Sequence, residues 1–83
     1  MLIAHRGIHD NKEIPENSLK AFKLSIENNL TIELDIHLTK DNHLIVFHDA
    51  NLKRMTGIDK VVEELTLKEI KSLKLLNTNE RIP

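Results

Sequence analysis

The sequence predicts an α/β fold with parallel strands, and three observations lead there. Leu2 to Ala4 are a short apolar run that stops at the polar pair His5-Arg6, which reads as a buried strand. Leu19, Phe22 and Ile26 then recur at helical spacing, with Ala21 nearby. Thr31 to Leu38 alternates strictly, with Ile32, Leu34, Ile36 and Leu38 on one side and Glu33, Asp35 and His37 on the other. A strand–helix–strand unit with a right-handed crossover makes two neighbouring parallel strands. Parallel sheets need cover on both faces, and 83 residues hold too few elements to supply it. The expectation is one portion of a larger α/β domain, spanning residues 1–83.

Each element has its own punctuation. Gly7 to Glu16 is a polar connection containing Pro15, and Asn17 or Ser18 is placed to cap the helix that follows. Asn28-Asn29 supplies the stop, since Asn tolerates the left-handed conformation at helix ends. After the alternating strand, Lys40 to His43 is a turn and Leu44 to Phe47 returns as a second strand ending at His48. Arg54 to Gly57 reads as a turn, and Thr66 with Glu69 forms a capping box opening a helix through Ile70 and Leu73. Asn77 to Pro83 is a polar tail.

Composition excludes several classes. Lys and Arg total 12 against 13 Asp and Glu, so there is no basic footprint for nucleic acid or anionic lipid. No apolar run approaches a membrane span, and Met1 to Ala4 meet His5 and Arg6 too soon for a signal peptide. With no cysteine there is neither a disulfide framework nor a thiolate metal site, which fits a cytoplasmic location. Only Phe22 and Phe47 are aromatic, so the core must be built from Ile, Leu and Val.

Chemistry concentrates in three short groups: His5-Arg6, Glu33-Leu34-Asp35 and His48-Asp49. Glu33 and Asp35 share one side of a strand and present oxygen ligands suited to Mg or Ca. Alternation alone is equally met by a solvated strand face, although acidic residues are poor strand formers. A lone histidine is most often a surface or satisfied residue. His5 and His48 gain weight because each sits where an apolar strand ends, the end at which parallel α/β folds build sites. One can accept a proton while the other gives one. Arg6 has the planar donors that grip phosphate, or else makes a surface ion pair of little worth. Asn17 caps its helix, binds ligand, or both. Asp49 orients His48 or belongs to the following turn, and the turn is the favoured reading. His37 shares the Glu33 and Asp35 side but is expected beyond the site; His9 and His43 read as loop residues.

Taken in order, His5-Arg6-Gly7, Pro15-Glu16-Asn17-Ser18 with Ala21-Phe22, Glu33-Leu34-Asp35-Ile36 with Leu38-Thr39-Lys40-Asp41, Val46-Phe47-His48-Asp49, Leu52 with Arg54-Met55-Thr56-Gly57, and Ile82-Pro83 closely resemble the start of the glycerophosphodiester phosphodiesterase family. The resemblance runs over nearly the whole chain. It implies the N-terminal fragment of a (β/α)8 barrel of the phospholipase C-like type. The implied reaction is metal-dependent hydrolysis of small glycerophosphodiesters to glycerol 3-phosphate and an alcohol. By position His5 and His48 resemble the catalytic acid/base pair, with His5 as base and His48 as acid. Arg6 resembles the phosphate-contacting arginine, and Glu33 and Asp35 two of the metal ligands. The hairpin after Asp35 looks like the start of the family's small inserted segment.

Three departures stand out. Ser18 replaces the commoner Thr, and Asn42-His43 replaces an Asp-Gly type of turn. The family also has a further metal-binding Glu, followed two residues later by a Lys, on a later strand that this chain does not reach. A whole barrel takes about 250 residues, so roughly a third is present. The expectation is half an active site with little or no activity by itself. Two rival readings are another phospholipase-type phosphodiesterase with a different head group, and a noncatalytic phosphate-binding or orphan barrel fragment.

Overall fold

The computed structural model describes residues 2–83. β1 (Ile3–His5) runs into a tight polar connection, α1 spans Leu19–Glu27, and β2 (Thr31–Glu33) lies parallel to β1. The register sets Ile3 opposite Thr31, Ala4 opposite Ile32 and His5 opposite Glu33. This is the expected strand–helix–strand unit. Ser18 caps α1, its hydroxyl accepting from the Ala21 N–H at 3.1 Å and so satisfying a donor the helix cannot use internally. Asn29 adopts φ 55°, the left-handed stop expected of the Asn pair.

The face by which α1 packs differs from the expected one. Leu19 and Ile26 are two-thirds exposed, Phe22 is half-buried, and Ala21 and Ser25 are fully buried. The cause is close approach. Gly7 packs so tightly on α1 that a Cβ built there would lie 2.9 Å from the Ala21 Cβ. Only small residues fit on the inner stripe, and Ser25 then uses its hydroxyl to accept from the Ile8 N–H at 2.9 Å.

The alternating segment is also not one strand. β2 ends at Glu33, Leu34 and Asp35 leave the ladder, and β3 (Ile36–Leu38) pairs antiparallel with β4 (Leu44–Val46). The chain thus changes partner, from β1 to β4, at the two residues on which the site depends. Leu34, Ile36 and Leu38 are about half exposed, and Leu2 and Ile3 are more exposed still.

The core lies under the carboxy-terminal half. Ile45, Phe47, Leu52, Met55, Val62, Leu65, Ile70, Leu75 and Ile82 form one buried cluster, with Leu67, Leu73 and Leu76 packed against it. Arg54 sits not in a simple turn but in a single helical turn, α2 (Lys53–Thr56), closed by Gly57 at φ 82°. A 3-10 turn at Val62–Glu64 leads to α3 (Leu67–Lys71), where the Thr66–Glu69 capping box is formed in both directions. α3 stops at Ser72, before Leu73, and the Ser72 hydroxyl donates back to the Glu69 carbonyl. The polar tail is tied in as well: Ile82 is buried in the core and the Val46 N–H donates to the Pro83 carbonyl at 3.1 Å.

Candidate active site

The carboxyl ends of β1 and β2 are side by side, so the residues leaving them meet. His5 Nδ1 lies 2.7 Å from Glu33 Oε2, its cross-strand neighbour. Beyond the ladder the Arg6 N–H donates to the Glu33 carbonyl at 2.7 Å, and Arg6 takes up φ 60°. That left-handed conformation costs a non-glycine residue of order 1 kcal/mol or more. It turns the guanidinium back over the sheet end, where Nε is 3.8 Å from Asp35 Oδ2 and Nη1 is 3.2 Å from Glu16 Oε2. Four of the five expected site residues are therefore brought together: His5, Arg6, Glu33 and Asp35.

Asn17 is the next participant. It too has positive φ, 53°, with its N–H donating to the Arg6 carbonyl at 2.8 Å and its Nδ2 donating to Asp35 Oδ2 at 3.3 Å. It is buried, and its Oδ1 has no hydrogen-bond partner. The cap of α1 is Ser18, so Asn17 is free for this second role. The Arg6 Nε–H is likewise buried without a hydrogen bond.

His48 stands at the end of β4 and is reached by a different route. Among the described residues no hydrogen bond or ion pair joins it to His5. Its Nδ1 lies 2.7 Å from Asp49 Oδ1, the contact that the less favoured of the two Asp49 readings requires. Asp49 is gripped by Arg54 (Nε to Oδ2 2.9 Å, Nη2 to Oδ1 3.2 Å). Arg54 in turn forks onto Glu16 (Nη1 to Oε1 3.0 Å, Nη2 to Oε2 2.8 Å). Glu16 is the carboxylate already shared with Arg6, and Asn11 Nδ2 donates to it at 2.9 Å. His37, expected outside the site, donates from Nε2 to the His48 carbonyl at 2.8 Å. It does so because the switch to β3 turns it toward β4.

The charges explain one another. Burial works against an ionised Glu16, but the hydrogen bonds from Arg54 and Asn11 and the nearby arginine charges outweigh it, holding the carboxyl at about 2. Asp49 is held at about 2 chiefly by the Arg54 hydrogen bonds, with His48 adding to them. Arg54 is pushed upward by Glu16 first and Asp49 second.

Two carboxylates and a buried, unpartnered amide oxygen are hard donors of the kind Mg and Ca take, so the residues present fit part of a cation site. Among the described residues no group of three or more acidic, histidine or cysteine side chains closes around one point. Nor, among them, is any helix long and apolar enough to cross a membrane.

Residues 5–83 match the sequence profile of the glycerophosphoryl diester phosphodiesterase family. This chain belongs to that family. A glycerophosphodiester phosphodiesterase from Caldanaerobacter subterraneus subsp. tengcongensis is 49% identical over 74 residues, covering 88% of this chain and 30% of the relative. A glycerophosphoryl diester phosphodiesterase from Parabacteroides distasonis superposes with a TM-score of 0.88 at 33% identity, over 100% of this chain and 31% of that one. A phosphodiesterase from Oleispira antarctica, solved with its product sn-glycerol-3-phosphate, gives a TM-score of 0.87 at 31% identity over 100% of this chain and 36% of that one. The chain thus spans about a third of the length of these relatives. Its β1–α1–β2 unit and hairpin are the N-terminal portion of the glycerophosphoryl diester phosphodiesterase barrel, as the sequence predicts.

Proposed function

We propose that residues 1–83 supply the amino-terminal part of a metal-dependent hydrolase that splits glycerophosphodiesters into glycerol 3-phosphate and an alcohol. The observation that supports this most is the meeting of His5, Arg6, Glu33 and Asp35 at the carboxyl ends of two paired parallel strands. That end is where barrel enzymes place their chemistry. Arg6 binds a non-bridging phosphate oxygen through its planar donors. Glu33 and Asp35 would hold Mg or Ca, and the bound cation would supply Lewis-acid stabilisation of phosphoryl charge. His5 acts as the base, its Nδ1 steadied by Glu33 and its Nε2 left to take the proton of the attacking oxygen. His48 protonates the leaving alkoxide. By itself this chain is a half-site with little or no turnover.

The test is a graft. Residues 2–83 replace the corresponding segment of the Caldanaerobacter relative, and release of glycerol 3-phosphate from glycerophosphocholine and glycerophosphoethanolamine is measured with Mg or Ca present. Turnover is expected from the graft, with a loss on the order of 100-fold or more in kcat and little change in KM for His48→Ala. A graft with native-like circular dichroism that hydrolyses neither substrate would overturn the function. Turnover by the 83-residue chain alone, abolished by His5→Ala, would overturn the half-site reading.

A further inference from the structure

Five polar side chains connect the two histidine-bearing strand ends, and three of them have no part in the chemistry above. From His48 the contacts run through Asp49, Arg54 and Glu16 to Arg6. The middle of this chain is more specific than a surface ion pair. Arg54 uses Nε, Nη1 and Nη2 to contact all four oxygens of two carboxylates at 2.8–3.2 Å. One of those carboxylates, Glu16, is 97% buried, so the guanidinium is anchored on a fixed point and not on a mobile surface group. From that anchor it holds Asp49 in one orientation against the ring.

We propose that Asp49 and Arg54 are positioning residues for His48. Arg54, anchored on Glu16, locks the Asp49 carboxylate against Nδ1 of His48, so that Nε2 is the nitrogen presented to the leaving group. An ionised carboxylate only accepts hydrogen bonds, and at neutral pH Asp49 is ionised. The contact at 2.7 Å therefore requires the hydrogen on Nδ1. When the bond from phosphorus to the leaving oxygen breaks, that oxygen takes the proton from Nε2. The ring is left neutral, with its hydrogen kept on Nδ1 and still donated to Asp49. His37 braces the same residue from behind, through the His48 carbonyl, and leaves the imidazole untouched.

The assignment also accounts for Arg54 standing on a single helical turn. The segment Leu52–Gly57 is fixed by Leu52 and Met55 in the core, with the Gly57 N–H donating to the Lys53 carbonyl at 2.8 Å. The guanidinium therefore projects from a rigid base. A lysine there has one point charge where three donors are used, and cannot span both carboxylates.

This inference rests on the proposed hydrolysis for the purpose of the brace, but its first test does not. In the 15N-labelled chain at alkaline pH, long-range proton–nitrogen correlations of the neutral His48 ring report which nitrogen carries the hydrogen. The Nδ1–H form is expected to dominate in the natural chain. Asp49→Asn offers an amide donor and is expected to move the ring to a majority Nε2–H form. Arg54→Lys is expected to leave a mixture, with Asp49 no longer fixed. In the graft, Asp49→Asn should lower kcat on the order of 10- to 100-fold with KM within about twofold. Arg54→Lys should recover no more than part of the turnover lost in Arg54→Gln. A natural ring carrying its hydrogen on Nε2, or a tautomer indifferent to Asp49→Asn, would overturn the positioning role whatever the graft hydrolyses. A folded graft without hydrolysis but with the Nδ1–H tautomer would instead overturn the reaction that the brace serves.

Discussion

Glu16→Gln isolates the anchor on which two arginines converge. The change keeps shape and the Asn11 contacts but removes the charge facing Arg54 and Arg6. A carboxyl held at about 2 when folded, against the ordinary 4.5, favours the folded state at neutral pH. At about 1.4 kcal/mol per pH unit this is worth roughly 3 kcal/mol before screening. Arg54 is 46% exposed, so solvent screening lowers the expected contribution to about 2 kcal/mol. The sign follows from the direction. A depressed folded value gives stability that is complete above the unfolded value of 4.5 and is lost as the pH falls through about 2. Urea unfolding followed by circular dichroism, at neutral pH and at steps down to pH near 2, measures both quantities. Glu16→Gln should lose about 2 kcal/mol at neutral pH and converge on the natural chain in acid. Its acid limb should become shallower without vanishing, because Asp49 is depressed by the same arginine. A neutral-pH loss below about 0.5 kcal/mol, or a loss equal at both ends of the pH range, would refute the reasoning.

Two further outcomes follow from the geometry. Gly7→Ala puts a methyl 2.9 Å from the Ala21 Cβ and 3.0 Å from its backbone carbon, at φ 76°, so neither neighbour can yield cheaply. A loss of about 2–4 kcal/mol in thermal or urea unfolding is expected, and a loss under about 1 kcal/mol would show that α1 can move away. Mg or Ca titrated into the chain should shift the side-chain carboxyl signals of Glu33 and Asp35 ahead of all others. Dissociation constants on the order of millimolar are expected for so few charged ligands, and submicromolar binding would contradict the half-site reading.

The β1–α1–β2 unit was legible because its signals are local: an apolar run, a Ser18 cap and an Asn stop. The split of Thr31–Leu38 was not, since side chains alternate in the same way whichever partner the strand takes. The packing face of α1 was hidden for a related reason. A search for large apolar residues finds Leu19 and Ile26, whereas the tight approach of Gly7 selects Ala21 and Ser25. In the site, His5, Arg6, Glu33 and Asp35 were readable from their positions at strand ends. Glu16 and Arg54 were not, because 38 positions separate them and only the tertiary fold joins them. Asp49 was visible as a candidate orienter, but a neighbour in sequence says nothing about which way its carboxylate faces. The remote arginine decides that.

The register of β1 against β2 makes the position of His5 a property of the backbone. Because His5 stands opposite Glu33, the spacing of their backbones is set by the ladder hydrogen bonds, whatever side chains the two strands carry. Insertions and deletions should be filtered accordingly. A residue added between Asn28 and Leu30 lengthens a loop and leaves the pairing intact. One residue added within Ile3–His5 or Thr31–Glu33 turns every following side chain to the opposite face of the sheet. Variation in length across such chains should therefore collect in the connections, while the two three-residue strands hold their length even where their apolar residues exchange freely.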